Sequence, residues 1–300
     1  MASKTRIGIA LGAGAATGIA WDIGVLKALR DEIGFELANC AAIYGTSAGS
    51  WVGARVLGGR SLDDLTDEQL GNRPQAAPPS TSSASGDGAA ARAQRGGGTM
   101  VAIGLWRDTK EMDQARLKEI GLAALSDNPV LAEDAWMSLC GTGLPSSEWP
   151  EQNFGICSVC CETGERVSWK KESGVELLRA MAASCSIPSV FPSIEIGGLH
   201  YMDGGVWSGG NCDYLLADEV DVPIFVGSML GNTPIGRIAS NALDSERKQF
   251  ADRGQELFTI TPGPDFWGEG SSMDPNGRGA ALEAGLAAGK EAAGRLNSLL

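Results

Sequence analysis

The chain has 300 residues, 43% of them hydrophobic, and carries 24 basic against 37 acidic side chains for a formal net charge of −13. That much apolar material supports a sizeable core and excludes global disorder. The acidic balance argues against nucleic acid as a partner and leaves no polybasic grip on anionic lipid, so work on lipid needs an apolar surface, transient contact with a membrane, or dispersed molecules. Glycine is about twice as frequent as usual at 42 residues, without a three-residue period, which excludes collagen.

In chain order, Arg6–Leu11 is a short apolar run ended by glycines and reads as a buried strand. Gly18–Ile33 has helical apolar spacing, Cys40–Tyr44 reads as a second strand, and Ser47–Leu57 as a second helix. This β-loop-α-β-turn-α opening favours a parallel α/β sheet. Asn72–Gly98 holds no aromatic or branched aliphatic residue and is expected to be a flexible Gly/Ala/Ser/Pro insert within one domain spanning 1–300. Residues 101–143 look helical, with Asp113–Leu125 clearest, and Trp106 and Trp136 belong either to a lid over a cleft or to plain core.

Phe154–Cys161 and Glu165–Trp169 read as a hairpin around Thr163-Gly164, and Val175–Ser184 as a short helix. Two short strands flank Gly197-Gly198, and Val222–Val226 and Glu256–Thr261 look like further strands. Asp244, Glu246 and Asp252 are expected on a solvated helix. Gly279–Leu299 is an Ala-rich helix whose Ala281, Gly285 and Gly289 recur every four residues, a spacing that suits close helix packing. Seven cysteines in no disulfide pattern, no secretory leader and no apolar stretch of membrane-spanning length suggest reduced thiols and a cytoplasmic location. Cys157, Cys160 and Cys161 resemble half a zinc site without its second half, so buried strand cysteines are the better reading. No metal or other cofactor is expected.

Gly45-Thr46-Ser47-Ala48-Gly49 fits G-x-S-x-G between a strand and a helix. In that context a serine sits on a sharp, strained turn that only small neighbours tolerate, with its hydroxyl at the positive end of the following helix. The loop Gly12–Gly18 lacks the last glycine of a dinucleotide fingerprint and the Lys of a phosphate loop. Beside a nucleophile it suits an oxyanion hole, the alternative being a tight turn without ligand. The only histidine, His200, would point to the opposite strand face from Asp203, which argues against a Ser-His-Asp triad. Asp203-Gly204-Gly205 could place a carboxylate against another loop, or be an ordinary Asp-Gly turn.

These residues carry a resemblance. The glycine-rich loop entering Gly18–Leu26, the Gly45–Gly49 pentapeptide, Arg179–Pro188 followed by Phe191-Pro192, and Tyr201–Gly205 with Asn211 are similar, in order, to blocks of bacterial patatin-like phospholipases. The resemblance implies an α/β fold, a three-layer α/β/α sandwich with a mostly parallel central sheet. It further implies a metal-independent serine acyl hydrolase acting on phospholipids or related acyl lipids. It carries the nucleophile to Ser47, the base to Asp203, and the oxyanion loop to Gly12, Ala13, Gly14 and Ala15, with Ala48 as a further donor. A lipid acyltransferase or a lipid-binding homologue would look similar. Ala13 and Ala15 interrupt the family's glycine run, and a left-handed backbone at either would cost on the order of 1 kcal/mol.

Overall fold

The computed structural model describes residues 5–71, 100–127, 129, 131–263, 266 and 272–300. The expected insert at 72–98 lies outside them.

Among the described residues, short apolar runs form the centre of an eight-stranded sheet in the order β5-β6-β3-β2-β1-β7-β8, with β4 on the other edge of β3. The strands are β1 (Ile7–Leu11), β2 (Ala42–Thr46), β3 (Phe154–Cys160), β4 (Arg166–Trp169), β5 (Ile194–Ile196), β6 (Leu199–Asp203), β7 (Val222–Val226) and β8 (Phe258–Ile260). The pairs β2–β3, β1–β2, β1–β7 and β7–β8 are parallel; β3–β4, β3–β6 and β5–β6 are antiparallel. Buried on both faces, β1, β2 and β7 read as continuous apolar runs rather than alternating ones.

Strand alternation divides the core into two sides. Ile9, Leu11, Ile43, Ile224 and Val226 face α1 (Ala15–Ile33), α2 (Ala48–Leu57) and α9 (Arg278–Asn297). Ala10, Tyr44 and Phe225 face α8 (Pro234–Ala251) and the 3-10 turn Cys212–Ala217. Together these make the helix–sheet–helix layering expected from the resemblance. The glycine spacing of α9 serves the expected close packing: a Cβ on Gly285 would lie 2.4 Å from the carbonyl oxygen of Trp21 on α1.

The polar helix α3 (Leu62–Gln69), capped by Ser61, has only Leu62 and Leu65 as its apolar stripe and goes unread in the sequence. The 101–143 stretch resolves into α4 (Val101–Arg107), α5 (Gln114–Ser126) and α6 (Glu133–Gly141). One expectation fails on α8: Glu246 is only 2% exposed, because that face of the helix packs against Cys212 and Ser208 rather than water. Burial, with Asp213 nearby, pushes its carboxyl up to about 7. Cys157, Cys160 and Cys161 are buried free thiols. Among the described residues no helix is long and apolar enough to cross a membrane.

Candidate active site

The register of β3 brings two distant residues together. Strand β2 pairs with Phe154–Cys157, and β6 runs the other way along Ser158–Cys160. Both pairings overlap the stretch paired with β4, Ile156–Val159, so β2 and β6 share the opposite edge of β3. They meet there end to end: Thr46 lies opposite Cys157 and Asp203 opposite the next residue, Ser158. The residue after Thr46 is Ser47, whose hydroxyl comes near enough to the Asp203 carboxylate to draw its pKa down.

Ser47 caps α2 with φ 52° and ψ −114°, a left-handed backbone that a non-glycine residue holds only under tertiary constraint. The constraint is visible. Its N–H donates to Ser184 Oγ at 2.9 Å; its carbonyl accepts from Ser50 Oγ at 2.7 Å and from the Cys185 thiol at 3.3 Å. The same segment fixes the partner, since the Asp203 N–H donates to the Ser186 carbonyl at 3.0 Å. The end of α7 (Leu177–Ser184) and the residues just after it thus tie down both members of the pair, a role the sequence blocks did not reveal. Asp203 is 2% exposed and accepts from the Gly205 N–H at 2.7 Å. Burial pushes its carboxyl up to about 7, against the lowering effect of the nearby Ser47 hydroxyl and the Gly205 N–H.

A second clamp is Asn211, which the sequence singled out without a role. Its amide nitrogen donates to Thr46 Oγ1 (3.1 Å), the Gly204 carbonyl (3.3 Å) and the Ser208 carbonyl (2.9 Å), bridging the residue before Ser47 to the residue after Asp203. Its Oδ1 accepts from Arg166, whose guanidinium also grips Asp213 with two bonds of 2.7 Å. Asn211 sits at φ 49°, a conformation asparagine tolerates better than most residues. Asn211→Ala is expected to lower kcat about 10²-fold with little change in KM and to cost about 1–3 kcal/mol of stability, as read by steady-state kinetics and urea unfolding. An unchanged kcat would show the clamp to be irrelevant to the pair.

The loop after β1 faces the same point, but its donors are not equivalent. Gly12 N–H donates to the Val226 carbonyl (2.7 Å) and Ala13 N–H to the Gly209 carbonyl (2.8 Å), so those two are already used. Gly14, Ala15 and Ala48 make no such bond among the described residues, which narrows the available donors to these three. Ala15 has φ 53° and Ala13 does not fall in the left-handed region, so the expected alanine strain sits at Ala15 alone. Ala15→Gly should therefore raise stability by about 0.5–1 kcal/mol in denaturant unfolding, the relieved strain exceeding the added freedom of the unfolded chain. A loss of stability would contradict that reading of the loop.

Ser47 lies where two apolar clefts meet. The larger, about 270 Å³, is lined by Ile103, Trp106, Ile187, Met229 and Ile235 together with Ala13–Ala15 and Asp203. The smaller, about 40 Å³, is lined by Trp51, Trp136, Phe191, Cys140 and Cys185 with Ala48. Trp106 and Trp136 are both buried, and each lines one of the clefts. Both clefts open at the carboxyl ends of β1 and β2, where ligands bind in open α/β sheets. His200 stands apart: its Nδ1 lies 2.7 Å from Glu162, and it lines neither cleft.

A patatin-like phospholipase family model matches residues 9–216, a span holding both Ser47 and Asp203. Among solved structures, VipD from Legionella pneumophila aligns at 13% identity and a TM-score of 0.49, covering 98% of this chain and 67% of that one. The type III effector protein ExoU aligns at 14% identity and a TM-score of 0.42, covering 98% of this chain and 53% of its own, so the chain spans about half of ExoU. No curated protein sequence matches. With more than half of its length matched by the family model, the chain belongs to the patatin-like phospholipases, a family of lipid-hydrolysing enzymes.

Proposed function

We propose that the chain hydrolyses acyl esters through a Ser47–Asp203 dyad and an acyl-serine intermediate. The observation that carries this reading is the juxtaposition of a strained, buried serine and a buried carboxylate, both lining one apolar cleft. Ionised Asp203 accepts the Ser47 proton as Oγ attacks the ester carbonyl. The N–H groups of Gly14, Ala15 and Ala48 hold the developing oxyanion, each such donor being worth ~10²–10³ in rate in other systems. The alcohol departs with a proton returned from Asp203. Water, deprotonated by Asp203, then attacks the acyl-serine; the bond from the acyl carbon to Ser47 Oγ breaks as Asp203 returns the proton to Oγ, and the fatty acid leaves. Helices α4 and α6 cover the two clefts as walls of one catalytic domain.

The test is fatty-acid release from dispersed acyl esters by the purified chain. Release is expected to persist in the presence of a chelator and in His200→Ala, and to vanish in Ser47→Ala. Activity that survives Ser47→Ala, or no release from any ester, would overturn the reading.

A further inference from the structure

The chemistry of the cleft walls bears on which ester is cleaved. An ester attacked by Ser47 places its carbonyl where the two clefts meet and sends its acyl and alkoxy arms apart. Among the described residues, no Lys, Arg or His side chain lines either cleft. The basic residues flanking the lining segments lie outside it: Arg107 and Arg237 are exposed, Arg278 donates to the Pro275 carbonyl, and buried Arg55 lies behind the smaller cleft's wall, stacked on Trp51 and donating to the Cys140 and Thr142 carbonyls. The charged side chain that does line the larger cleft is the carboxylate of Asp203, which must be ionised to act as a base.

In a glycerophospholipid the phosphate lies only a few bonds from the ester oxygen, on the alkoxy arm. In the larger cleft it would meet apolar walls and a like charge, and an unpaired buried anion is strongly disfavoured. The smaller cleft has too little room for it. Whichever arm takes which cleft, a phosphate finds no cation among the described residues, whereas an uncharged ester finds the same oxyanion donors and apolar contact. The formal net charge of −13 adds repulsion from anionic lipid surfaces.

We propose that this chain is selective for uncharged acyl esters, such as those of glycerol or simple alcohols, over esters carrying a phosphate. The proposal rests on Ser47 as the nucleophile. Three dispersed octanoyl esters test it below their micellar concentrations: that of glycerol, that of glycerol 3-phosphate, and that of glycerophosphocholine. The purified full chain is expected to show kcat/KM at least 100-fold higher for the glycerol ester than for the glycerol 3-phosphate ester, with the zwitterionic ester between them. Ile235→Arg, which adds a cation to the larger cleft, should narrow the ratio for the glycerol 3-phosphate ester at least tenfold. Equal or faster cleavage of the phosphate-bearing esters, or an unchanged ratio in Ile235→Arg, overturns the selectivity while leaving the hydrolase intact. Cleavage of none of the three overturns the Ser47 hydrolase reading and this selectivity with it.

Discussion

Asp203→Asn is expected to lower kcat by about 10³–10⁴-fold and, at pH 8, to make the protein more stable. The loss follows because the amide cannot take the Ser47 proton, although its oxygen can still accept from the Gly205 N–H. The gain follows from linkage. Burial raises the Asp203 carboxyl from its ordinary value of 3.8 to about 7 in the folded chain. A raised carboxyl supports folding fully below about pH 4, and that support is lost as pH climbs to about 7, a total on the order of 4 kcal/mol. Asparagine carries no charge and has nothing to lose. Thermal unfolding should therefore show the variant's advantage growing by about 3 kcal/mol between pH 5 and pH 8. In the wild type the same titration should appear as a rise in kcat through about pH 7, absent from the variant. A pH-independent difference in stability would show that Asp203 is not a buried charge at working pH.

Gly49→Ala is expected to destabilise the fold by about 3 kcal/mol or more and to lower kcat/KM at least 100-fold in whatever still folds. A Cβ at Gly49 would lie 2.1 Å from the Leu11 carbonyl oxygen and 2.3 Å from its carbon, both backbone atoms of the central strand β1. Relief requires α2 to lift off β1, and Ser47 would then leave the loop after β1, to which Gly49 N–H is also bonded through the Gly12 carbonyl at 2.9 Å. Gly294→Ala is the contrast within one protein. Its Cβ meets nothing within 4 Å on α9, so ordinary helix preference should make it stabilising by up to ~1 kcal/mol. Urea unfolding of the two variants side by side checks both; a well-folded, active Gly49→Ala would refute the close-approach argument.

The parts of the fold that were legible are those whose signal is local. Strands β1 and β7 are continuous apolar runs because both of their faces are buried, and the elbow after β2 announces itself by glycines on either side of a serine. Even there β2 runs to Thr46, because Gly45 and Thr46 still pair with β3 although they look like turn residues. The illegible parts depend on partners far along the chain. Nothing near Gly12 or Ala13 says that their N–H groups are taken by carbonyls of Val226 and Gly209. Nothing near Glu246 says that a charged helix residue will face Cys212 instead of water. Ser184 and Ser186 carry no local mark of holding Ser47 and Asp203, since that depends on how β2 and β6 share an edge of β3.

The central claim is that Ser47 is the nucleophile and Asp203 its base, and covalent trapping tests it most directly. The purified chain would be treated with a fluorophosphonate at pH 8, and the adduct located by intact mass and peptide mapping. A single adduct on Ser47 is expected, formed quickly in the wild type and in His200→Ala and far more slowly in Asp203→Asn. No adduct, or one on another residue such as Ser50 or Ser184, would contradict it.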